Sequence, residues 1–379
     1  MSRSVPPAII TTPAALQALA GRLAGETVIA CDLEADSLHR YQEKVCLLQL
    51  ATPREAVLVD PLALPDLSPL APLFADPAAR KIFHGADYDI RSLHRDFGIE
   101  VHNLFDTMVA CQFLGERELG LAAVLKKRFG VELDKSLQRA DWSRRPLTSA
   151  MVDYAAQDTA LLIDLYGELG IELRQKGRLA WVEEECALLS RVRATTRNGE
   201  PLFLRFKGAS RLEPLALAVL EEVLRYRDRL AKSRDVPPFK VLGTETVREL
   251  AERKPTGTGE LTGITGLSPK LLERYGKGIL EAVAKGREVP PEQLPRFPAT
   301  VRVKRSGPEE VRLQRLKGWR ERRAKELGIE PGILANNALL EELATQFPQD
   351  QAGLAAVAGL KCWQKEEFGR EILALLGRG

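Results

Sequence analysis

The chain is expected to fold as one α/β domain followed by two all-α helical domains. Three observations point to this class. Strand-like runs and helix-like spacings are mixed within the first ~200 residues. The second half has no clear strand-like run, and it repeats itself at a fixed offset.

The elements follow in order. Thr27–Cys31 is β-branched and apolar, 45–51 reads VCLLQLA, and 56–60 reads AVLVD. Short polar or proline-bearing turns separate these runs, which predicts an antiparallel meander. Residues 81–84 (KIFH) predict a fourth strand. From Tyr88 to Phe97 the apolar residues Ile90, Leu93 and Phe97 share one face at helical spacing. A fifth strand is expected over 101–105, then helices over 107–114 and 119–129, the latter stopped by Gly130. After Pro146, an apolar helical pattern begins at 147–149 and runs to about Leu173.

The C-terminal half aligns with itself without gaps at an offset of 93. Ala231–Lys232 matches Ala324–Lys325, Leu250–Ala251 matches Leu343–Ala344, Gly266–Leu267 matches Gly359–Leu360, and Ile279–Leu280 matches Ile372–Leu373. Tyr226 stands opposite Trp319, and Tyr275 opposite Phe368. Register held over such a stretch predicts two copies of a small helical domain. Between them, Pro290, Pro291, Pro295 and Pro298 predict a semi-stiff linker. The expected division is 1–205, 211–290, a linker at 291–307, and 308–379.

At 45% apolar and 28% charged residues, the composition is that of a water-soluble globular protein. No run reaches the ~20 apolar residues of a membrane span, and the opening MSRSVPPAII does not read as a signal peptide. The five cysteines are scattered, with no CxxC pair, so neither a zinc site nor a disulfide framework is expected. A reducing cytoplasm fits that usage. The net charge of +3 is unevenly placed. Residues 1–199 hold 23 Lys/Arg against 27 Asp/Glu, and residues 200–379 hold 32 against 25. An acidic half joined to a basic half suits an enzyme that acts on a polyanion. Within 285–325, where cations alternate with aromatic and apolar residues (Arg315, Lys317, Trp319, Arg320, Arg322, Arg323), a phosphate-contacting surface is expected.

The chemistry-bearing residues are carboxylates. Asp32 and Glu34 lie two apart at the end of an apolar strand, so both point to one face, where cations could bridge them. Asp36 continues the alternation as a weaker candidate. Asp89 follows the strand KIFH near a helix start, and spacing alone does not separate it from Asp87. Tyr154 and Asp158 are four apart on one helix face, where the phenol could orient or help deprotonate a water beside a metal ligand. His84 ends a strand and reads as structural. Clustered carboxylates repel unless cations neutralise them, and such clusters cut phosphodiesters with two metal ions.

Together, Asp32-Leu33-Glu34, the segment from His84 to Asp89, and the segment from Tyr154 to Asp158 resemble the DEDD exonuclease superfamily in its tyrosine-bearing branch. The closer resemblance is to the ribonuclease D family, over nearly the whole chain. The run through Leu133-Asp134-Lys135, Asp141-Trp142 and Arg145-Pro146-Leu147 is similar to the family's segment before the third motif. The repeats resemble HRDC domains. Leu33 departs from the threonine common at that position, with its side chain directed away from the acids. The resemblance implies a ribonuclease H-like domain followed by two HRDC bundles. It selects Asp89 over Asp87. It also implies that Asp32, Glu34, Asp89 and Asp158 hold two Mg²⁺ or Mn²⁺ ions, with Tyr154 placing the attacking water. The implied activity is 3′→5′ exoribonuclease action on RNA with a free 3′ end, tRNA precursors or other structured RNA, by a monomer releasing nucleoside 5′-monophosphates. Alternatives at this level are a 3′→5′ exonuclease preferring DNA and an inactive nucleic-acid-binding protein. A protein-interaction scaffold would leave the acids unexplained.

Overall fold

The computed structural model describes residues 7–195, 199–298 and 305–377. The opening residues 1–6, and 299–304 of the expected linker, lie outside them. The chain divides into two compact units, one of 1–35, 45–194 and 303–379, the other of 36–44 and 195–302.

The first unit is built on a mixed sheet of β1 (Ala8–Ile10), β2 (Val28–Ala35), β3 (Val45–Ala51), β4 (Ala56–Val59), β5 (Arg80–Phe83) and β6 (Leu104–Asp106), in the order β1-β4-β3-β2-β5-β6. The strands β2, β3 and β4 form the expected antiparallel meander. Strands β5 and β6 add on parallel to β2, and β1 pairs parallel with β4. Sequence patterning misses β1, because only Ile10 of its three residues is buried and no alternation develops. Strand β2 runs past the expected end at Cys31 to Ala35. Leu33 is buried with the core on one face, so the acids beside it can point to the other.

The meander is covered on both faces. On one, Leu33, Leu48, Leu50, Val57 and Val59 pack with Leu16, Leu19 and Leu23 of the helix Pro13–Leu23. On the other, Leu47 and Leu58 meet Trp142 and Met151, Val152 and Ala155 of the helix Ser149–Ala160. The helix expected from 147 to about 173 is in fact two, Ser149–Ala160 and Leu162–Gln175, broken at Leu161 (φ −115°, ψ 5°). The apolar spacing runs on across the break, so periodicity alone does not mark it.

Both helical repeats form, and they keep their offset in detail. Arg227 donates to the Leu242 carbonyl, and Arg320, 93 positions on, to that of Ala335. Lys254 and Phe347 end equivalent helices at φ +49° and +48°. In the second unit the first repeat closes around Leu220, Val247, Leu250, Leu261 and Ile279. The loop 36–44 belongs to it, with the Tyr41 hydroxyl donating to Asp228 at 2.9 Å.

The second repeat belongs to the same unit as the sheet. Trp363 stacks on Trp181 of the helix Leu179–Leu189, with centroids 4.8 Å apart, and meets Phe113 edge-on at 5.5 Å. Glu184 caps the helix Cys362–Leu376, accepting from the backbone N–H groups of Cys362 at 2.7 Å and Trp363 at 2.8 Å. Glu185 accepts from the Trp363 indole at 3.0 Å and from Lys361. Arg178 donates to the carbonyls of Phe113 and Leu327, near the ends of a helix in each domain. Gly115 (φ +83°) approaches so closely that a Cβ there would collide with the Gly328 carbonyl.

Part of the basic stretch is used within the fold. Trp319 is a core residue whose indole donates to Glu371 at 2.7 Å. Arg320 is held by Ala335 and Asn337, and Arg323 by Glu326, Glu371 and the Phe368 ring. The helix Gly307–Leu327 turns Leu313, Leu316, Trp319 and Ala324 inward, and the arginines beside them are used in packing. Of the six, Arg322 is exposed.

Trp363→Ala should cost about 3–5 kcal/mol, the usual range for a buried tryptophan. Urea unfolding should show the sheet domain and the second repeat weakened in one transition. A loss under about 1 kcal/mol, or an unaffected sheet domain, would contradict this docking.

Candidate active site

Asp32 and Glu34 alternate with Leu33 on β2, so their carboxylates share the sheet face beneath the helix Ser149–Ala160. Thr148 caps that helix, accepting from the Met151 N–H, and Val152 and Ala155 seat it on the sheet. Asp158 lies one turn beyond Tyr154 along the helix. Oxygens of Asp32, Glu34 and Asp158, all partly exposed, lie within 4.8 Å of one another. Asp89 is outside that group of three but acts on it, since its charge bears on both Asp32 and Glu34.

The two acids that spacing could not separate are distinguished here. Asp89 is buried in the first turn of the helix Asp87–Phe97. Asp87 is exposed and engages Arg91 one turn on, through two bonds of 2.7 and 3.0 Å. Asp36 does not join the cluster. Its carboxylate accepts from the Lys44 N–H at 2.8 Å within the loop 36–44. His84 is structural, bonded to Thr107 at 2.9 Å and the Leu119 carbonyl at 2.7 Å.

Two positioning residues escape sequence reasoning. Asp106, at the end of β6, accepts from the N–H groups of Gly85, Ala86 and Met108 at 2.8–2.9 Å. It thus fixes the turn that leads into Asp89. Arg145 grips Asp60 through two bonds of 2.6 and 2.7 Å and reaches the Cys46 carbonyl at 2.7 Å. That clamp ties the segment entering the helix Ser149–Ala160 to the sheet. Burial pushes the Asp60 carboxyl up, but the guanidinium beside it outweighs this and holds it below its usual range. Asp106 directly precedes Thr107 at a helix start, a capping signal legible in sequence. Nothing local links Asp60 to Arg145.

The electrostatics of the cluster are those of crowded anions. Burial, then the charges of Asp158 and Asp89, push Glu34 up to about 9. Burial and Asp106 push Asp89 to about 7, and burial alone pushes Asp158 to about 6. Burial and the other three acids push Asp32 up as well. No cation appears among the charges that bear most on these four. Burial, followed by Asp158, Glu34 and Asp32, also pushes the Tyr154 phenol up, so in this state it is an O–H donor and not a base. The chemistry open to the cluster is to bind hard cations through oxygen, with a phenol donor beside them.

The family described as 3′-5′ exonuclease matches residues 7–174, and the HRDC domain matches 216–283 and 309–376. The chain is 34% identical over 373 residues to a ribonuclease D of Nitrobacter hamburgensis, covering 97% of this chain and 94% of that one. A ribonuclease D of Gluconacetobacter diazotrophicus is also 34% identical, with 97% and 92% covered. Among solved structures, Escherichia coli RNase D, described as an exoribonuclease involved in structured RNA processing, superposes with a TM-score of 0.72 at 27% identity, covering 98% and 99%. The catalytic core of RRP6 from Trypanosoma brucei gives 0.66 at 33%, covering 76% and 81%.

The raised carboxyls imply a pH signature. A carboxyl whose folded pKa lies above its unfolded value stabilises the fold while protonated, and that contribution is lost as pH rises through the folded value. With chelator present, thermal stability should therefore fall from the ordinary carboxylate range, about pH 4, up to about pH 9, as Asp158, Asp89 and Glu34 in turn lose their protons in the folded state. Asp32→Asn should flatten that fall, and so should Mg²⁺. Identical melting profiles for parent and variant across this range would contradict the mutual repulsion.

Proposed function

The chain belongs to the ribonuclease D family and is a 3′→5′ exoribonuclease, and we propose that Asp32, Glu34, Asp89 and Asp158 hold its two divalent cations, Mg²⁺ or Mn²⁺. The observation that carries this reading is the meeting of three carboxylates within 4.8 Å on one sheet face, with a fourth acting on them. The donor set fits hard cations, since every ligand offered is a carboxylate oxygen and the charges that bear on Asp32 and Glu34 are negative. Bound there, the cations would supply charge stabilisation to the scissile phosphate and acidify an attacking water.

The chain's own residues set the geometry. Asp32 and Glu34 stand on a strand, which holds them more rigidly than a loop would. Asp158 arrives from the helix above, and Asp89 from the turn fixed by Asp106. Tyr154, with its phenol protonated, donates a hydrogen bond that orients the water or the phosphate oxygen beside it. The substrate is RNA with a free 3′ end, in our reading a tRNA precursor or other structured RNA. The products are nucleoside 5′-monophosphates. We further propose a monomer at work in the cytoplasm. Supporting this location, none of the five cysteines is in a disulfide, and four of the five are buried. Among the described residues, no helix is long and apolar enough to cross a membrane.

Asp32→Asn and Asp158→Asn should each abolish digestion of end-labelled RNA while leaving the fold intact by circular dichroism. RNA and DNA of one sequence, each with and without EDTA, complete the comparison. Activity that persists in either variant or in EDTA would end the two-cation assignment. A faster rate on DNA would assign the preference to the other polymer.

Tyr154→Phe keeps the ring and removes only the donor. It should slow saturated turnover ~10²–10⁴-fold, the usual worth of a positioned proton donor. Cation affinity should stay unchanged. A loss under about threefold would make Tyr154 a packing residue.

A further inference from the structure

Gln49 is fully buried on β3, and neither its Oε1 nor its Nε2 has a hydrogen-bond partner. A buried carboxamide left unpaired is costly, so its presence calls for a reason. Toward β4 and the covering helix its neighbours are apolar. Gln49 shares a face with Leu47, and Leu58 stands opposite it on β4. Above this layer lie Met151, Val152 and Ala155 of the covering helix. A leucine would fill the position at less cost.

The register identifies the partner. In the antiparallel pair of β2 and β3, Gln49 stands directly opposite Asp32, and directly opposed residues project to the same face with Cβ atoms ~4.5–5.5 Å apart. The carboxamide can therefore reach Asp32, which lies among the acids just described. An amide nitrogen carries two donor hydrogens, and an ionised carboxylate only accepts. The side-chain charges that bear on Asp32 are all carboxylates, so Gln49 offers it a neutral side-chain donor from the neighbouring strand.

We propose that Gln49 is a positioning residue for the cation site, its Nε2 donating to the Asp32 carboxylate when that group is ionised and binding metal. The bond would turn one carboxylate oxygen toward the amide and leave the other free to hold a cation. It also restrains the rotation of Asp32 about its side chain. This inference rests on the two-cation reading above. It adds a residue outside the three motifs and predicts a phenotype that reading does not contain.

The test uses full-length protein and Mn²⁺ alone as probe, with free Mn²⁺ followed by electron paramagnetic resonance. Three variants are compared: Gln49→Met, which keeps the length and removes the donor, Gln49→Leu, which fills the apolar layer, and Gln49→Glu, which keeps the shape and replaces the donor by an acceptor. Gln49→Met and Gln49→Leu should keep or raise the melting temperature of the chelated protein. Their Mn²⁺ affinity should fall ~10–100-fold, the usual cost of losing a group that orients a metal ligand. RNA digestion should slow in step. Gln49→Glu should lose at least as much, because a second carboxylate beside Asp32 repels it and offers no donor.

Mn²⁺ affinity within about threefold of the parent in both apolar variants would overturn the proposal, as would full affinity in Gln49→Glu. A fall in chelated-state stability that accounts for the lost affinity, or failure of both apolar variants to fold, would show a packing role and overturn it too. Asp32→Asn run in parallel separates the two levels. If it keeps Mn²⁺ binding and activity, the two-cation reading fails. If it loses both while the Gln49 variants keep them, only this inference fails.

Discussion

The repulsion among four buried or half-buried carboxyls is the constraint on which this molecule's active half depends. Burial raises each of them, the other acids of the cluster raise Asp32 and Glu34 further, and Asp106 raises Asp89. Such a cluster must be held together by packing elsewhere. The helix Ser149–Ala160 supplies much of that packing, pressing Met151, Val152 and Ala155 onto Leu47 and Leu58. The clamp of Arg145 on Asp60 fixes the segment that enters the helix. On the other side, one carboxylate, that of Asp106, gathers four backbone N–H groups and sets the turn before Asp89. The energy that crowds the acids is thus supplied by apolar contacts and by ion pairs that are themselves satisfied.

The helical repeats show how duplicated sequence acquires two uses. Their internal architecture is the same: arginines 93 apart serve equivalent carbonyls, and equivalent helices end in left-handed residues. The difference lies in what one copy adds. Where the second copy has Trp363, the first has Lys270. Trp363 stacks on Trp181, and its helix start is capped by Glu184 from another domain. A stacked aromatic pair in a desolvated contact, together with a carboxylate at a helix N-terminus, gives a directional interface. This explains why the second repeat joins the sheet domain in one compact unit.

Much of the site was legible in the chain itself. The alternation at Asp32 and Glu34 sets both on one face of a strand, and the four-residue spacing of Tyr154 and Asp158 sets both on one face of a helix. Those are consequences of backbone geometry that hold wherever such elements form. Less local features were not legible. β1 is too short to show a period, and the break at Leu161 sits inside an unbroken apolar spacing. Asp87 and Asp89 look alike in sequence, yet one is an exposed partner of Arg91 and the other is buried beside the cluster. The arginines at 320 and 323 look like a basic face until the acceptors at Ala335, Asn337 and Glu371 are brought to them.

The sequence by itself determined that an α/β domain precedes two copies of one helical domain and, through relatives, the family, and it marked the carboxylates proposed to carry the chemistry. These follow from side-chain identity and from periodicities that neighbouring residues express without help. Only the tertiary structure decided that Asp158 meets Asp32 and Glu34 within 4.8 Å, that Gln49 stands unpaired across from Asp32, and that the second repeat docks through Trp363. Each of these depends on strand register or helix docking. Those are set by the packing of segments far apart in the chain, and no local pattern records them.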